Sequence, residues 1–366
     1  MFRGWHSLLT EEGAGDTDIR QQKSGGDNLN EEKVIRWGIL GAGDILYRFM
    51  KGMRQVDGME VVAIASRTQA RAQQMAEKFQ IPEALGYDEL LARDDIDVVY
   101  VPVPHTAHKD LTIRALKAHK AVLVEKPAAV TAADFEEMVQ CARENNTFLM
   151  EAVWTRFFPM AEEIKKFIGA DGIGEVRAVH TAFAFRTEDR VDSRLTNPMT
   201  AGGSLLDTGV YDLHFTDMIL DKPPVAVTGL AAFDTDDLHL QVDEQASWVC
   251  AYDKGELGVM TSAIRTELPD TAFIYGTKGS IEVKQFWKPT EMIVRMGGEE
   301  KTVRCPVPQK IEGVEDEGYQ FEVAHVNQCL RSGLVESPVV TWEKSLQVLR
   351  VCDKLRADWG FRYPFE

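Results

Sequence analysis

Hydrophobic positions along this chain change rhythm near Trp154. From Val34 to Ala152, short runs rich in β-branched residues alternate with amphipathic stretches, as parallel α/β architecture requires. The pattern predicts strands at Val34–Leu40, Glu60–Ala65, Val98–Val101, Ala121–Val124 and Thr147–Met150. Helices are predicted between them, for example Gln69–Phe79 and Asp134–Glu144, the latter opened by a capping box of Thr131 with Asp134. Such near-continuous apolar strands fit a sheet covered on both faces. One helix, Met160–Ile168, then leads into longer alternating runs: Val176–Phe185, Val225–Ala232, Ala246–Tyr252, Leu257–Ile264, Thr271–Tyr275 and Ser280–Val283. Turn signals such as Asp253-Lys254-Gly255 separate several of them, which indicates a mostly antiparallel sheet. Two helices, Phe321–Leu330 and Trp342–Ala357, are predicted to close the chain.

Gly41-Ala42-Gly43-Asp44-Ile45-Leu46 occupies the corner between the first strand and its helix. The first glycine permits the turn, and the second lets backbone approach a pyrophosphate that the helix N-terminus stabilises. Leu46 stands where a third glycine or alanine is usual, so the fingerprint is imperfect. The expected fold is therefore α/β plus α+β, with an N-terminal Rossmann dinucleotide-binding domain and a C-terminal, mostly antiparallel open-sheet domain. Its expected boundaries are a tail over 1–33, a nucleotide domain over 34–154 and a substrate and oligomerisation domain over 155–366.

An NAD enzyme usually ends its second strand on an acid that accepts from the ribose hydroxyls. Here Ala65-Ser66-Arg67-Thr68 has none. Arg67 fits a 2′-phosphate, Ser66 a hydrogen bond to it, and Arg71 adds charge one turn later. NADP is favoured and NAD remains open. The plainer account of Arg67 is a solvated cation at a helix start.

Three further segments carry candidate chemistry. Pro102-Val103-Pro104-His105-Thr106-Ala107-His108 holds an extended loop above the sheet edge. Pro104, His105 and His108 are assigned to the cofactor there, with helix-start packing the plainer role for His108; H-x-x-H without a third ligand is not a metal site. Glu125-Lys126-Pro127 ends a strand, where open α/β sheets bind ligand, and places a cation beside the reacting end of a dinucleotide. Gly202-Gly203-Ser204-Leu205-Leu206-Asp207-Thr208-Gly209-Val210-Tyr211 sets Asp207 and Tyr211 on one face if it is helical. A tyrosine is a poor base at its ordinary pKa near 10, and an ammonium such as Lys126 is expected to lower that value.

The charge balance narrows the partners. Forty-one Lys+Arg against 58 Asp+Glu give −17, which argues against nucleic acid. Five scattered cysteines without a C-x-x-C pair indicate a reduced, cytoplasmic setting with no zinc site or disulfide framework. No apolar stretch approaches the roughly 18 residues of a membrane helix. Met1 to Asn30 is polar and glycine-rich, and is expected to be a flexible tail or an over-long start rather than a signal peptide.

Together these motifs resemble the Gfo/Idh/MocA oxidoreductase family from about Ile35 to Glu366. Many members carry histidine where Tyr211 stands; tyrosine is similar to the branch of dihydrodiol dehydrogenase, NADP-dependent D-xylose dehydrogenase and glucose-fructose oxidoreductase. Trp154-Thr155-Arg156-Phe157-Phe158-Pro159 and Phe273-Ile274-Tyr275-Gly276-Thr277-Lys278-Gly279 are similar to that branch too. The resemblance implies Lys126 and Tyr211 as the catalytic pair, a cis Lys126–Pro127 peptide and a homodimer through the C-terminal sheet. The expected activity is NADP-dependent hydride transfer to or from a sugar or cyclic diol. Asp207 positions the polar partner, Trp154 and Arg156 line the cofactor and substrate cleft, and Arg190 and Arg194 are weaker candidates. Cofactor contacts are assigned to Gly41, Ala42, Gly43, Asp44, Ile45, Ser66, Arg67, Arg71, Glu125, Lys126 and Pro127. Two alternatives stay open: a keto-sugar reductase of the 1,5-anhydrofructose type, and a non-catalytic NADP(H) sensor.

Overall fold

The computed structural model describes residues 33–187, 194–233 and 242–366. Six parallel strands form the first sheet: β1 (Ile35–Leu40), β2 (Met59–Ala65), β3 (Glu83–Leu85), β4 (Val98–Val101), β5 (Ala121–Glu125) and β6 (Leu149–Ala152). Their spatial order is β3-β2-β1-β4-β5-β6, so the strand order reverses between β1 and β4. At that reversal the connecting segments diverge to opposite faces and leave a crevice at the carboxyl ends of the strands. The intervening helices are α1 (Leu46–Met53), α2 (Gln69–Phe79), α3 (Tyr87–Leu91), α4 (His108–Lys117) and α5 (Ala132–Glu144). Thr131 caps α5 as expected, its hydroxyl accepting from the Asp134 amide at 3.0 Å.

Three helices follow the first sheet before the chain closes: α6 (Pro159–Lys166), α7 (Val210–Leu220) and α8 (Tyr319–Arg331); α9 (Trp342–Asp358) comes last. The final two return to the first sheet. Val323, Val326 and Cys329 of α8 join the core formed by β1 and α1, while Trp342, Leu346 and Leu349 of α9 join the core under α5. A buried hydrogen bond from Trp37 Nε1 of β1 to Asn327 Oδ1 of α8, 2.9 Å long, fixes the first contact.

The second sheet has eight strands: β7 (Val176–Ala184), β8 (Ala226–Phe233), β9 (Asp243–Ala251), β10 (Leu257–Ala263), β11 (Thr271–Gly276), β12 (Gly279–Lys284), β13 (Glu291–Met296) and β14 (Glu299–Arg304). Their order is β14-β13-β12-β11-β7-β10-β9-β8, antiparallel except for the β7–β10 pair. Register sorts the residues by face. Trp248, Met260, Val179, Ile274 and Ile281 point into cores shared with α6 and α7. Leu230, Val249, Val259, Leu257, Phe273 and Tyr275 fall on the opposite face.

Candidate active site

The corner after β1 is shaped by two glycines. Gly41 has φ 140°, a conformation disfavoured for side-chain-bearing residues, and a Cβ on Gly43 would lie 2.7 Å from the Pro102 carbonyl oxygen. That approach brings the β1 and β4 loops together at the strand reversal. Among the described residues, the amides of Gly43, Asp44 and Ile45 donate to no other backbone group. They flank the N-terminus of α1, where unpaired donors and the helix dipole suit an anion. Leu46, in place of the third small residue, is fully buried and opens α1 with an apolar anchor.

A cleft of about 1310 Å³ starts at these residues. Ala42, Gly43, Asp44, Ile45, Ser66, Arg67 and Arg71 line one end, and Lys126, Asp207, Tyr211, Trp154, Trp287 and Tyr319 the other. Arg67 has no ion-pair partner among the described residues. Arg71 donates to the Ala42 carbonyl at 3.2 Å, bracing the glycine corner. An unpaired guanidinium, a second one nearby and no acid at the end of β2 fit a 2′-phosphorylated dinucleotide rather than one with a free ribose diol.

At the opposite end, the predicted pair converges. Lys126 Nζ lies 5.0 Å from the centroid of the Tyr211 ring. It donates to Asp207 twice, to the backbone oxygen at 2.7 Å and to Oδ1 at 3.2 Å. Arg194 Nη1 donates to the same Oδ1 at 2.9 Å, so one carboxylate joins two cations. Burial alone would raise the Asp207 carboxyl, but Arg194 and Lys126 overcome it and hold the group well below the ordinary carboxylate range. Tyr211 accepts from Trp154 Nε1 at 3.2 Å.

The expected lowering of the Tyr211 pKa is not found. Burial first and the Glu125 carboxylate second raise it well above 10, and the Trp154 N–H offsets only part. The reason is geometric: the Lys126 ammonium is committed to Asp207, and the phenol faces acids as well as a cation.

Neighbouring residues fix these groups in place. The Lys126–Pro127 peptide is cis. Tyr100 donates its hydroxyl to Glu125 Oε1, and Glu151 Oε1 accepts from the Ala128 amide at 2.9 Å. His108 is fully buried, its ring nitrogens 2.8 Å from the Pro127 oxygen and 2.9 Å from the Val103 oxygen. Burial pushes its pKa down to about 4. His108 thus braces the loop and does not line the cleft, which corrects its assignment as a cofactor contact. His105 does line the cleft, with Nδ1 3.0 Å from the Ala201 oxygen. Pro104 and Glu125 line it as well, whereas Gly41 and Pro127 are not among its lining residues.

Arg156 is also corrected. Its guanidinium turns away from the cleft into a buried ion pair with Asp217, Nη2 to Oδ2 2.5 Å, between side chains 2% and 10% exposed. Trp154, two residues earlier, keeps its expected place on the wall. Arg194 is on the wall too, and Arg190 lies outside the described residues. The segment 205–209 is helical, as expected, but wound as a π turn that passes into α7 at Val210. Asp243 fixes its start, Oδ2 accepting from the Leu205 amide at 2.6 Å and the Ser204 hydroxyl at 3.0 Å.

Several wall residues carry no signal in their own motifs. Arg48 follows the glycine corner on α1 and pairs with Glu317. Phe183 of β7 stacks on Trp287, their rings 5.1 Å apart and 3° from parallel, and Tyr319 stacks on Trp154 at 4.1 Å. Tyr87 and Glu322 complete the surface. Spacing offers a cue only for the last, since Tyr319 and Glu322 are one turn apart on α8.

Because its folded pKa is depressed, Asp207 contributes stability that is complete above the unfolded carboxylate value of about 3.9 and is lost as pH falls through the folded value. Asp207→Asn is expected to cost about 1–3 kcal/mol at pH 7, discounted for the half-exposed Arg194. In urea unfolding, the gap between variant and wild type should be flat above about pH 5 and close below about pH 4. A gap independent of pH down to the acid limb would rule this out.

Comparison with known proteins places the chain. Residues 35–153 match the oxidoreductase family with an NAD-binding Rossmann fold, and residues 161–282 match the GFO/IDH/MocA C-terminal domain. The chain is 37% identical over 336 residues to trans-1,2-dihydrobenzene-1,2-diol dehydrogenase of Mus musculus, covering 90% of this chain and 98% of the mouse protein. It resembles the crystal structure of aldose-aldose oxidoreductase from Caulobacter crescentus complexed with glycerol, with TM-score 0.77, 26% identity, and 90% and 98% coverage of the two chains. A 3-ketoreductase from Actinomadura kijaniata in complex with NADP and TDP-benzene aligns with TM-score 0.75 at 25% identity, over 88% of this chain and 97% of that one. The glycine corner, the Lys126 strand end and the Tyr211 helix thus lie on the scaffold of their relatives, and the chain belongs to the Gfo/Idh/MocA oxidoreductase family.

Proposed function

We propose that this oxidoreductase uses NADP to interconvert a CH–OH group and a carbonyl on a cyclic diol or sugar. The observation that carries the proposal is the Lys126 ammonium, held by Asp207 beside the Tyr211 ring in the cleft whose far end presents Arg67. NADP, when bound, supplies or receives the hydride. The α1 N-terminus, Ser66, Arg67 and Arg71 bind its phosphates, and Glu125, His105 and Trp154 line its reacting end. Tyr211 keeps its proton and serves as the acid toward a carbonyl oxygen; in the oxidative direction it takes that proton back. Lys126 stabilises the negative charge on the substrate oxygen, and Asp207 restricts the lysine to one orientation. A sensor has no use for this triad.

The aromatic wall of Trp154, Phe183, Phe185, Trp287 and Tyr319 supports a cyclic diol ahead of a sugar, because it offers several ring faces for an unsaturated ring to lie against. The mouse relative's name supports the same class. A cytoplasmic setting agrees with five free cysteines. A second copy of the chain is the proposed cover for the open face of the second sheet. Leu230 is 81% exposed, Leu257 44% and Tyr275 38%, and register aligns them on one apolar surface.

With NADP+ and a trans-dihydrodiol of benzene, Tyr211→Phe should lose about 10²–10⁴-fold in kcat while its NADP+ affinity is unchanged; retained turnover removes Tyr211 from the chemistry. Arg67→Ala should reduce the preference for NADP over NAD by about tenfold or more. An unchanged ratio would remove the 2′-phosphate from Arg67. Sedimentation should find a dimer that Val259→Glu, in the middle of the open face, converts to monomer; a monomeric wild type at micromolar concentration excludes the interface.

A further inference from the structure

Glu322 is a buried acid in the cleft wall without a partner. It sits in the first turn of α8 at 1% exposure, and neither carboxyl oxygen has a hydrogen bond among the described residues. Three other polar side chains of this part of the molecule are already engaged. Arg48 is bound through Nε to Glu317 at 2.9 Å, Tyr100 donates to Glu125, and Glu125 also accepts from the Lys126 amide at 3.2 Å. A buried polar group left unpaired costs a folded protein stability, so its presence in a binding cleft points to a partner that arrives with the ligand.

The chemistry of that partner follows from where Glu322 sits, buried in the cleft wall with two unpartnered carboxyl oxygens. Burial, reinforced by Glu125 and Asp316, raises its pKa well above the ordinary carboxyl range. A carboxyl group so placed favours its neutral form, with one O–H donor beside one C=O acceptor. Its complement is a primary amide, which pairs with it through two parallel hydrogen bonds: amide N–H to acid C=O, and acid O–H to amide C=O. Glu322 shares the wall with Glu125, Lys126, Trp154 and Tyr211, so it lies at the reacting end of the cleft. We propose that Glu322 is the paired hydrogen-bond partner of the nicotinamide carboxamide, an inference that rests on reading the cleft as an NADP site.

The test compares NADP+ with its 3-acetylpyridine analogue, in which a methyl replaces the amide nitrogen. Binding to the unmodified full chain is followed by tryptophan quenching, since Trp154 and Trp287 line the cleft. Wild type should prefer NADP+ by about tenfold, the scale of one hydrogen bond to a buried group. Glu322→Gln offers the same donor–acceptor pair and should keep that preference. Glu322→Met should narrow it to less than about twofold, with an unliganded melting temperature equal to or above wild type, because an unpaired buried acid is gone. A preference that survives in Glu322→Met, or is lost equally in Glu322→Gln, overturns the amide pairing. A lower unliganded melting temperature in both variants also overturns it and marks Glu322 as structural. If wild type binds neither nucleotide, the NADP reading fails with it.

Discussion

The site depends on a buried ammonium and a buried carboxylate that meet from 81 residues apart. Lys126 directly follows β5 of the parallel sheet, and Asp207 lies in the turn leading into α7, beside the second sheet. Their side chains are 13% and 6% exposed, so neither charge is well hydrated. Each is tolerable there because the other is present; removing one would strand its partner in a poorly solvated wall. The pair also imposes alignment. Tyr211 follows Asp207 by four residues, so holding Asp207 against Lys126 brings the phenol beside the ammonium. Buried polar contacts hold both segments in that alignment. Glu151 and His108 brace the loop after Lys126, and Asp243 braces the turn before Asp207.

The cleft is electrically polarised along its length. Backbone amides at α1 with Arg67 and Arg71 make one end suited to phosphate, while the other end holds the Glu125 and Asp207 carboxyl groups. A ligand with anionic phosphates on one side and a ring that is cationic when oxidised on the other matches both ends. Burial first, and then the carboxyl groups around it, hold Tyr211 as a phenol. Glu125 and Asp207 resist a further negative charge there, and an oxidised nicotinamide would bring the positive charge that relieves it.

What was legible in the sequence follows from how local each signal is. The helix Gln69–Phe79 and strand Val98–Val101 match their expected ends because periodicity and flanking turns agree at both. The fifth predicted strand is displaced, Leu149–Ala152 instead of Thr147–Met150, because pairing with β5 sets its register. Strands β3, β13 and β14 gave too little signal: β3 has three residues, and Glu299–Arg304 is a charged edge with almost no apolar alternation. Lys126, Asp207 and Tyr211 could be placed in the cleft from the sequence, Lys126 by its position at a strand end before Pro127, and Asp207 and Tyr211 by their spacing after the glycines at 202 and 203. Arg156 and His108 were not, since their partners, Asp217 and the Val103 and Pro127 carbonyls, are supplied by packing. Glu322 was hidden for a related reason. A glutamate in a first helical turn ordinarily faces water, and only the docking of α8 on α1 and β1 turns this one inward.

The wide turn at Leu205–Gly209 explains how Lys126 finds a seat at all. A regular α-helix would commit each interior carbonyl to the amide four residues on, leaving little for a lysine to engage except the carboxylate. Winding the segment with π geometry shifts the pairing to five residues and frees carbonyl capacity where the register changes to the α-helix at Val210. The Asp207 carbonyl is the one Lys126 uses, at 2.7 Å, shorter than its 3.2 Å contact with the carboxylate. The ammonium is thus held partly by a dipole that does not titrate. Protonation of Asp207 in acid, or its exchange for asparagine, weakens the hold on Lys126 without releasing it, because the turn itself supplies the second acceptor.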